Sequence, residues 1–142
     1  MEVSLVSPEH LDLCWGECAP HLERAIGTAH GRYELSDMKK EIEEFEQHLW
    51  VVFNDEGRII SALTTRFMTY PRFNMLSVQF AGGDEFFLWR DKMQDILERF
   101  AKDCNCAGLE MAGRVGIKKA LASCGWTPEF TVYQKMLGAS DV

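Results

Sequence analysis

The best candidate for acid-base chemistry in this 142-residue chain is Glu110. It alternates with Leu109 and Met111 in a short predicted strand, so its carboxylate faces away from the core side of that strand. If it were buried there, its pKa would rise, and it could take a proton from an amine through a water molecule. Tyr133 is the candidate for a matching acid. The simpler alternatives are a surface glutamate on a strand and a half-buried tyrosine that packs through its ring.

Sulfur and imidazole groups offer a second kind of chemistry, a zinc site. The residues that could supply it are Cys14, Cys18, His21, Cys104 and Cys106. The first three are spaced i, i+4 and i+7 on one helical face, but Pro20 interrupts that face and the usual CxxC spacing is missing. Buried structural cysteines are the simpler interpretation, so no metal is predicted. Motifs of serine or cysteine nucleophiles are also missing.

Elements of alternating type must position these residues. Strands are predicted at residues 3–6, 50–53, 59–68, 76–81, 109–111 and 130–137, and helices are predicted after Ser7-Pro8, Ser36, Asp84 and Gly113. Pro20 is expected to kink or divide the first helix. Residues 54–57 (Asn-Asp-Glu-Gly) are expected to close a hairpin. Leu76, Val78 and Phe80 are expected to face one way, and the order predicts an α/β or α+β sheet with helices on both faces.

Two glycine-containing stretches carry a family resemblance. The first is Gln79-Phe80-Ala81-Gly82-Gly83, and the second runs from Gly113-Arg114-Val115-Gly116 to Gly125-Trp126. Together with the order of elements, they resemble the GNAT superfamily of acyl-coenzyme A dependent N-acetyltransferases. The resemblance implies a mixed, mostly antiparallel central sheet. It also implies that Gln79, Gly82, Gly83 and Arg114 would bind acetyl-CoA, the first stretch through backbone N–H groups at a helix N-terminus, and that Glu110 and Tyr133 would catalyse transfer.

The sequence departs from the family pattern at three places, and at one of them Arg114 stands where members commonly carry Asn. Asp84 replaces the final small residue of the first stretch and Glu85 follows it. Two carboxylates at a helix N-terminus would occupy the amides and repel a pyrophosphate. Leu121 stands near the position where members carry a tyrosine that protonates the departing thiolate, and leucine cannot donate a proton. The resemblance therefore implies a degenerate acetyl-CoA site, with acetyl-CoA as cofactor only if the chain is an enzyme.

The pattern Gly-Arg-x-Gly before a short helix and Gly-Trp also resembles small GNAT-like proteins of tailed bacteriophages. Some of these resemble internal virion or assembly proteins. This resemblance implies a non-catalytic virion, assembly or protein-binding component, with phage proteins or further copies of itself as partners. The alternative is an active acetyl-CoA-dependent N-acetyltransferase in which Gly82 and Gly83 bind the pyrophosphate and Glu110 acts as base.

Composition removes several other functions. With 46% hydrophobic and 26% charged residues, the chain is typical of one globular domain, expected to cover residues 1–142. Its five cysteines are odd in number and scattered, and no charged-then-apolar leader follows Met1, which favours an intracellular protein, in the host cytoplasm or a virion. Its longest apolar run, residues 49–53, is far shorter than the ~20 residues of a membrane span.

The net charge of -7 argues against nucleic-acid binding, because phosphates attract basic surfaces. Six acids cluster near one predicted helix: Glu34, Asp37, Glu41, Glu43, Glu44 and Glu46. They are interpreted as a solvated face, and the alternative is that they imitate phosphates in an acidic inhibitor of a host DNA-binding enzyme.

Aromatic and methionine residues around Pro71 form either a partner surface or a small core beneath the hairpin: Phe67, Met68, Tyr70, Phe73 and Met75.

Overall fold

The computed structural model describes residues 1–27, 29–113 and 117–138. Contacts divide the chain into two compact units, Met1–Ala112 and Gly113–Val142. The first unit holds strands β1 to β5 and helices α1 to α3: β1 (Glu2–Val6), α1 (Leu11–Ile26), α2 (Leu35–Glu43), β2 (His48–Phe53), β3 (Ile59–Thr69), β4 (Asn74–Gly83), α3 (Phe86–Asp103) and β5 (Cys106–Met111). The second holds α4 (Lys118–Ala122). A single domain over residues 1–142 stays a prediction.

The sheet confirms the predicted fold class. Its strands follow the order β1-β2-β3-β4-β5, with antiparallel pairing up to β4 and a parallel β5. Leu49 on β2 packs in the buried cluster that α1 and α2 form, whereas its neighbour Trp50 contacts Phe100 of α3 at 5.1 Å between ring centroids. Because neighbouring strand residues point to opposite faces, α1 and α2 cover one face and α3 covers the other.

Of the two outcomes predicted for Pro20, a kink or a division of the helix, division does not occur in α1. It runs without a break over 16 residues. A proline removes the hydrogen bond to the carbonyl four residues earlier, here that of Gly16. Both Gly16 and Pro20 lie on the exposed side of the helix, so water can satisfy the freed carbonyl and the helix continues.

Two helix starts differ from the prediction. Helix α2 is capped by Glu34 and Asp37, whose side chains bond each other's backbone N–H in a capping box, so Ser36 is not the cap. Helix α3 has Glu85 as its N-cap residue, with no side-chain cap hydrogen bond, so Asp84 does not cap it. Glu85 has a left-handed backbone with φ of 56°, which a β-carbon disfavours. Both shifts come from local backbone geometry that hydrophobic periodicity does not encode.

The hairpin between β2 and β3 is confirmed. Asn54 Oδ1 accepts hydrogen bonds from the backbone N–H groups of Glu56 and Arg58 at 3.0 and 2.9 Å. Gly57 supplies the positive φ that the turn needs.

The second unit departs from the prediction at both of its elements. Helix α4 begins at Lys118 and has no fully buried residue, and it ends at Ala122, three residues before Gly125, the predicted stop, which has a positive φ. Residues 130–137 form no strand. The alternating apolar pattern of these residues predicted a strand because it shows which side chains would share a face. A strand also needs a neighbouring strand that supplies hydrogen-bonding partners, and the pattern does not encode that neighbour. Among the described helices of both units, none combines the length and apolarity needed to cross a bilayer.

Candidate functional site

A β-bulge in β4 defines the centre of the candidate site. Phe80 pairs with Thr64 of β3, but Val78 pairs with the next residue, Thr65, so Gln79 is an extra residue in β4. Thr64 and Thr65 point to opposite faces, and therefore Phe80 and Val78 do too. The prediction that Leu76, Val78 and Phe80 face one way was wrong, because the bulge breaks the alternation. Phe80 turns toward α1 and α2 and joins their core.

The strands β4 and β5 part just after the bulge begins. Their pairing runs from Asn74 and Cys106 to Val78 and Met111. Beyond that point, β4 continues from residue 79 to residue 83 with β3 as its described partner, and no strand of the described sheet pairs with its other edge, which is called the slot below. An open strand edge presents N–H and C=O groups in a row, which suits an extended ligand such as an amide chain.

Glu110 and Gln79, two of the predicted site residues, lie on the same face at the base of this slot. Glu110 sits opposite Ser77 in the parallel register, and the Gln79 amide donates to Ser77 Oγ at 2.7 Å. The hydroxyl of Tyr70 donates to Glu110 Oε1 at 2.7 Å, and this bond raises the pKa of Tyr70. A half-buried carboxylate held in this way can accept a proton, and the tyrosine beside it can supply one.

Gly82 and Gly83, which the pattern assigned to pyrophosphate binding, are in tight contact with other parts of the unit. A β-carbon on Gly82 would overlap the His21 carbonyl of α1 and lie 3.6 Å from Ala25 Cβ. A β-carbon on Gly83 would lie 2.5 Å from the Ile60 carbonyl oxygen and from Ser61 Cα. Both glycines are therefore required for packing, whatever the loop binds.

Hydrogen bonds also occupy this loop. The N–H of Asp84 donates to the Ile60 carbonyl at 2.9 Å, and Ser61 Oγ donates to the Gly82 carbonyl at 2.8 Å. Trp89 Nε1 donates to the Asp84 carbonyl at 2.8 Å. The loop is thus fixed on one side by β3 and on the other by α3, and one amide that an anion would need is already used.

Helix α1 is attached to the same end of the sheet by its polar side chains. Ile59 at the start of β3 donates its N–H to Glu17 Oε2 at 3.1 Å, and its carbonyl lies 3.0 Å from His21 Nε2. Because Arg24 donates to His21 Nδ1 at 2.7 Å, the imidazole proton sits on Nε2 and bonds the Ile59 carbonyl. These contacts hold α1 against Gly82.

Charge at the start of α3 is negative. Asp84 and Glu85 both lie there and are exposed. Arg24 approaches Asp84 Oδ1 at 3.7 Å, but both side chains are more than half exposed, 56% and 66%, so the pair contributes little. The N-terminus of α3 is therefore less attractive to an anion than a bare helix end.

The remaining predicted residues lie elsewhere. Arg114 is outside the described residues. Tyr133 is 91% exposed in the second unit.

Burial raises the pKa of the Cys14 and Cys18 thiols, which disfavours the thiolates that bind metals. Among the residues that the structure describes, no three His, Cys, Asp or Glu side chains are placed to hold a metal ion.

Sequence reasoning missed the role of Tyr70 and Ser77 in the site. Tyr70 was noted only as part of the aromatic cluster around Pro71, of which Phe67, Tyr70 and Phe73 are 41%, 38% and 48% exposed. The Tyr70–Glu110 bond joins residues 40 positions apart, and only the pairing of β4 with β5 brings them together. Local spacing carries no signal for such a contact.

Comparison with known proteins places the fold. No protein-family profile matches the sequence, and no curated protein matches it significantly. The structure is similar to that of a probable acetyltransferase, with a TM-score of 0.73, 15% identity and coverage of 99% of both chains. An aminoglycoside acetyltransferase from an uncultured soil sample, solved with sisomicin, has a TM-score of 0.70 and 11% identity, with 98% of this chain and 96% of that chain covered.

A third similar structure carries the family name itself. It is a GNAT family acetyltransferase of Staphylococcus aureus, with a TM-score of 0.63, 12% identity, and 96% of this chain and 98% of that chain covered. At identities this low, the structural similarity shows the fold alone, and the chemistry has to be argued from the residues of the site. The bulged β4, its divergence from a parallel β5 and these similarities together give one conclusion: the chain has a GNAT-like fold.

Proposed function

We propose that this protein uses the GNAT-like fold as a non-catalytic protein-binding component, and that its acetyl-CoA site is degenerate. The observation that carries the proposal is the pair of exposed carboxylates, Asp84 and Glu85, at the start of α3. A pyrophosphate bound at this end of the helix would carry negative charge toward both of them. Two unit charges 4 Å apart repel by about 1 kcal/mol in water and about 4 kcal/mol near a protein surface.

The engaged loop supports the same proposal. The N–H of Asp84 already donates to the Ile60 carbonyl, so an anion at this loop would have to displace that hydrogen bond. Resemblance to phage internal virion and assembly proteins supplies the class of partner, other proteins of a virion. Mass spectrometry of purified particles from the source phage tests that part, since a virion component must be present in them in a fixed copy number.

The expected result for cofactor binding is a gain of affinity by mutation. The natural protein should show no saturable binding of acetyl-CoA at millimolar ligand in calorimetric titration. Asp84→Ala together with Glu85→Gly should bind it in the micromolar to millimolar range, because the repulsion is removed and glycine relaxes the left-handed residue. A ligand that binds the native state must also raise the melting temperature.

The matched control changes two exposed acids inside α3, far from its start: Asp95→Ala and Glu98→Ala. This variant has the same net charge as the first and should remain unable to bind. Micromolar binding by the natural protein would contradict a degenerate site, and so would equal gains in both variants, which would mean that only overall charge matters.

A specific observation favours a second candidate, an active N-acetyltransferase. The pairing of β4 with β5 ends at Val78 and Met111, and the Tyr70–Glu110 pair lies beside that point, at the base of the slot. If the natural protein binds acetyl-CoA, the acceptor is an amine whose proton passes to Glu110. Glu110→Gln should then lower kcat by about 10²–10⁴-fold with the cofactor affinity unchanged, measured by thiol release. Loss of affinity together with kcat would assign Glu110 a structural role instead.

A further inference from the structure

Cys104 and Cys106 lie on the two sides of the turn that joins α3 to β5. The helix ends at Asp103, Cys104 is its C-cap residue, and Cys106 is the first residue of β5. Between the two cysteines, Asn105 has a φ of 61° and donates its N–H to the Lys102 carbonyl at 3.1 Å. All of these residues belong to the first unit, so this unit alone defines the turn.

The left-handed backbone of Asn105 brings the two cysteines to disulfide distance. A residue other than glycine at this φ adopts a left-handed helical turn, because steric clashes forbid most other conformations there. From the radius and pitch of a helix, one helical residue of either hand places the Cα atoms on its two sides roughly 5.4 Å apart. A disulfide joins Cα atoms about 4.4–6.8 Å apart. In an extended strand the same two atoms would lie about 6.6–7.2 Å apart, at or beyond that limit.

The side chain of Cys106 is directed back toward Cys104. Its Sγ lies 4.0 Å from the carbonyl oxygen of Cys104, close enough for a weak S–H hydrogen bond. Burial is the main reason why the pKa of the Cys106 thiol is raised, and the negative charge of the Cys104 thiolate raises that pKa further. A charge acts in this way only on a near neighbour. The two sulfur atoms are therefore close to each other in the folded unit.

We propose that Cys104 and Cys106 form a modification site at which a hydroperoxide oxidises the two thiols to a disulfide, which a thiol reductant reverses. One thiolate attacks the peroxide, so that an S–O bond forms, the O–O bond breaks and water leaves. The other thiolate attacks the sulfenic sulfur, so that the S–S bond forms, the S–O bond breaks and the hydroxide leaves as water. The two thiols lose two electrons and hydrogen peroxide gains them. This site does not depend on acetyl-CoA binding.

Cys14 and Cys18 provide a matched comparison within the same chain. Their thiols also hydrogen-bond each other, and the two residues are four positions apart inside α1. Residues with this spacing in a helix have Cβ atoms about 5–6 Å apart, whereas a disulfide needs Cβ atoms about 3.5–4.5 Å apart. Contact between thiols is therefore not sufficient. We expect this pair to stay reduced under conditions that oxidise Cys104 and Cys106.

Peptide mapping of the full chain tests the proposal. Trypsin cleaves after Lys and Arg, so residues 103–114 carry Cys104 and Cys106 in one peptide, and residues 1–24 carry Cys14 and Cys18 in another. After hydrogen peroxide treatment of the folded chain and alkylation of free thiols, peptide 103–114 should be unalkylated and lighter by two hydrogen atoms, and peptide 1–24 should be alkylated twice. Dithiothreitol should restore alkylation of the first peptide. An alkylated peptide 103–114 overturns the proposal, and so does a disulfide from it to Cys124 or to a second copy.

Oxidation rates separate the effect of the turn from the effect of sequence spacing. Peptide 103–114 should be oxidised at least about tenfold faster in the folded chain than in urea, because the turn holds the thiols together. Asn105→Gly should keep the folded rate, since glycine adopts the left-handed turn, whereas Asn105→Val should lower the rate toward that in urea. Thermal unfolding checks that each variant is folded. Equal rates in the folded chain and in urea overturn the proposal.

Discussion

Gly82→Ala is expected to destabilise the first unit by at least about 3 kcal/mol, at the upper end of overpacking effects. The added methyl group would overlap the carbonyl of His21, and the atoms on both sides belong to backbone. A backbone contact cannot be relieved by a rotamer change, so α1 or the end of β4 must move. That movement would also strain the bonds from Glu17 and His21 to Ile59. Denaturant unfolding followed by circular dichroism measures the change.

Gly16→Ala is the matched control for this prediction. Gly16 also belongs to this region of the fold, on α1, but a β-carbon there meets nothing within 4 Å. The same substitution should therefore stabilise the protein by about 0.5–1 kcal/mol, because alanine favours helix over glycine. Opposite signs for the two variants are the expected signature. Equal midpoints for Gly82→Ala and the natural protein would show that α1 does not pack on β4 as described.

The second large effect is a loss of stability in mild acid caused by His48. This side chain is 2% exposed, its ring contacts Phe45, Phe67 and Phe100, and burial lowers its pKa from 6.5 to about 4. Between pH 6.5 and pH 4 the unfolded chain binds a proton at His48 and the folded chain does not. The free energy of unfolding therefore falls as the pH falls through this window, by about 1.4 kcal/mol per pH unit and about 3 kcal/mol in all.

His48→Asn tests this effect, because asparagine keeps a polar atom near the position of Nδ1, which lies 2.8 Å from Thr65 Oγ1. The variant is less stable at pH 7 through lost packing, but its unfolding free energy should fall less between pH 6.5 and pH 4. His30→Asn makes the same change at an exposed histidine with positive φ and should retain the natural slope. A His48→Asn slope equal to the natural one would assign the acid sensitivity to carboxylates.

Several elements of the fold were readable from the sequence because their signals are local. The periodic apolar face predicts α2, and the turn residues 54–57 predict the hairpin. The continuation of α1 through Pro20 was not readable, because it depends on which side of the helix faces solvent. The bulge at Gln79 could not be predicted either. The prediction assumed strict alternation of side chains along the strand, and a bulge interrupts that alternation.

The candidate site was readable in part. Glu110, Gln79 and the two glycines were named from the sequence, and the structure brings Glu110 and Gln79 to one face while Gly82 and Gly83 close the same strand. Leu109 and Met111 were expected on the buried side of their strand; they lie on the face that α3 covers but are only half-buried. The contact of Tyr70 with Glu110 depends on the pairing of β4 with β5, which a pattern of neighbouring residues in the sequence does not predict.

The position of Gly82 against α1 bears on how such proteins change over time. A chain that stopped using acetyl-CoA would still be selected to keep Gly82 and Gly83, because any larger residue would disturb the contacts with α1 and β3. Asp84 and Glu85, which face solvent, are free of that constraint. In lineages with this fold that lose acetyl-CoA binding, the two glycines should therefore stay conserved. Substitutions should appear first at the solvent-facing positions that follow them.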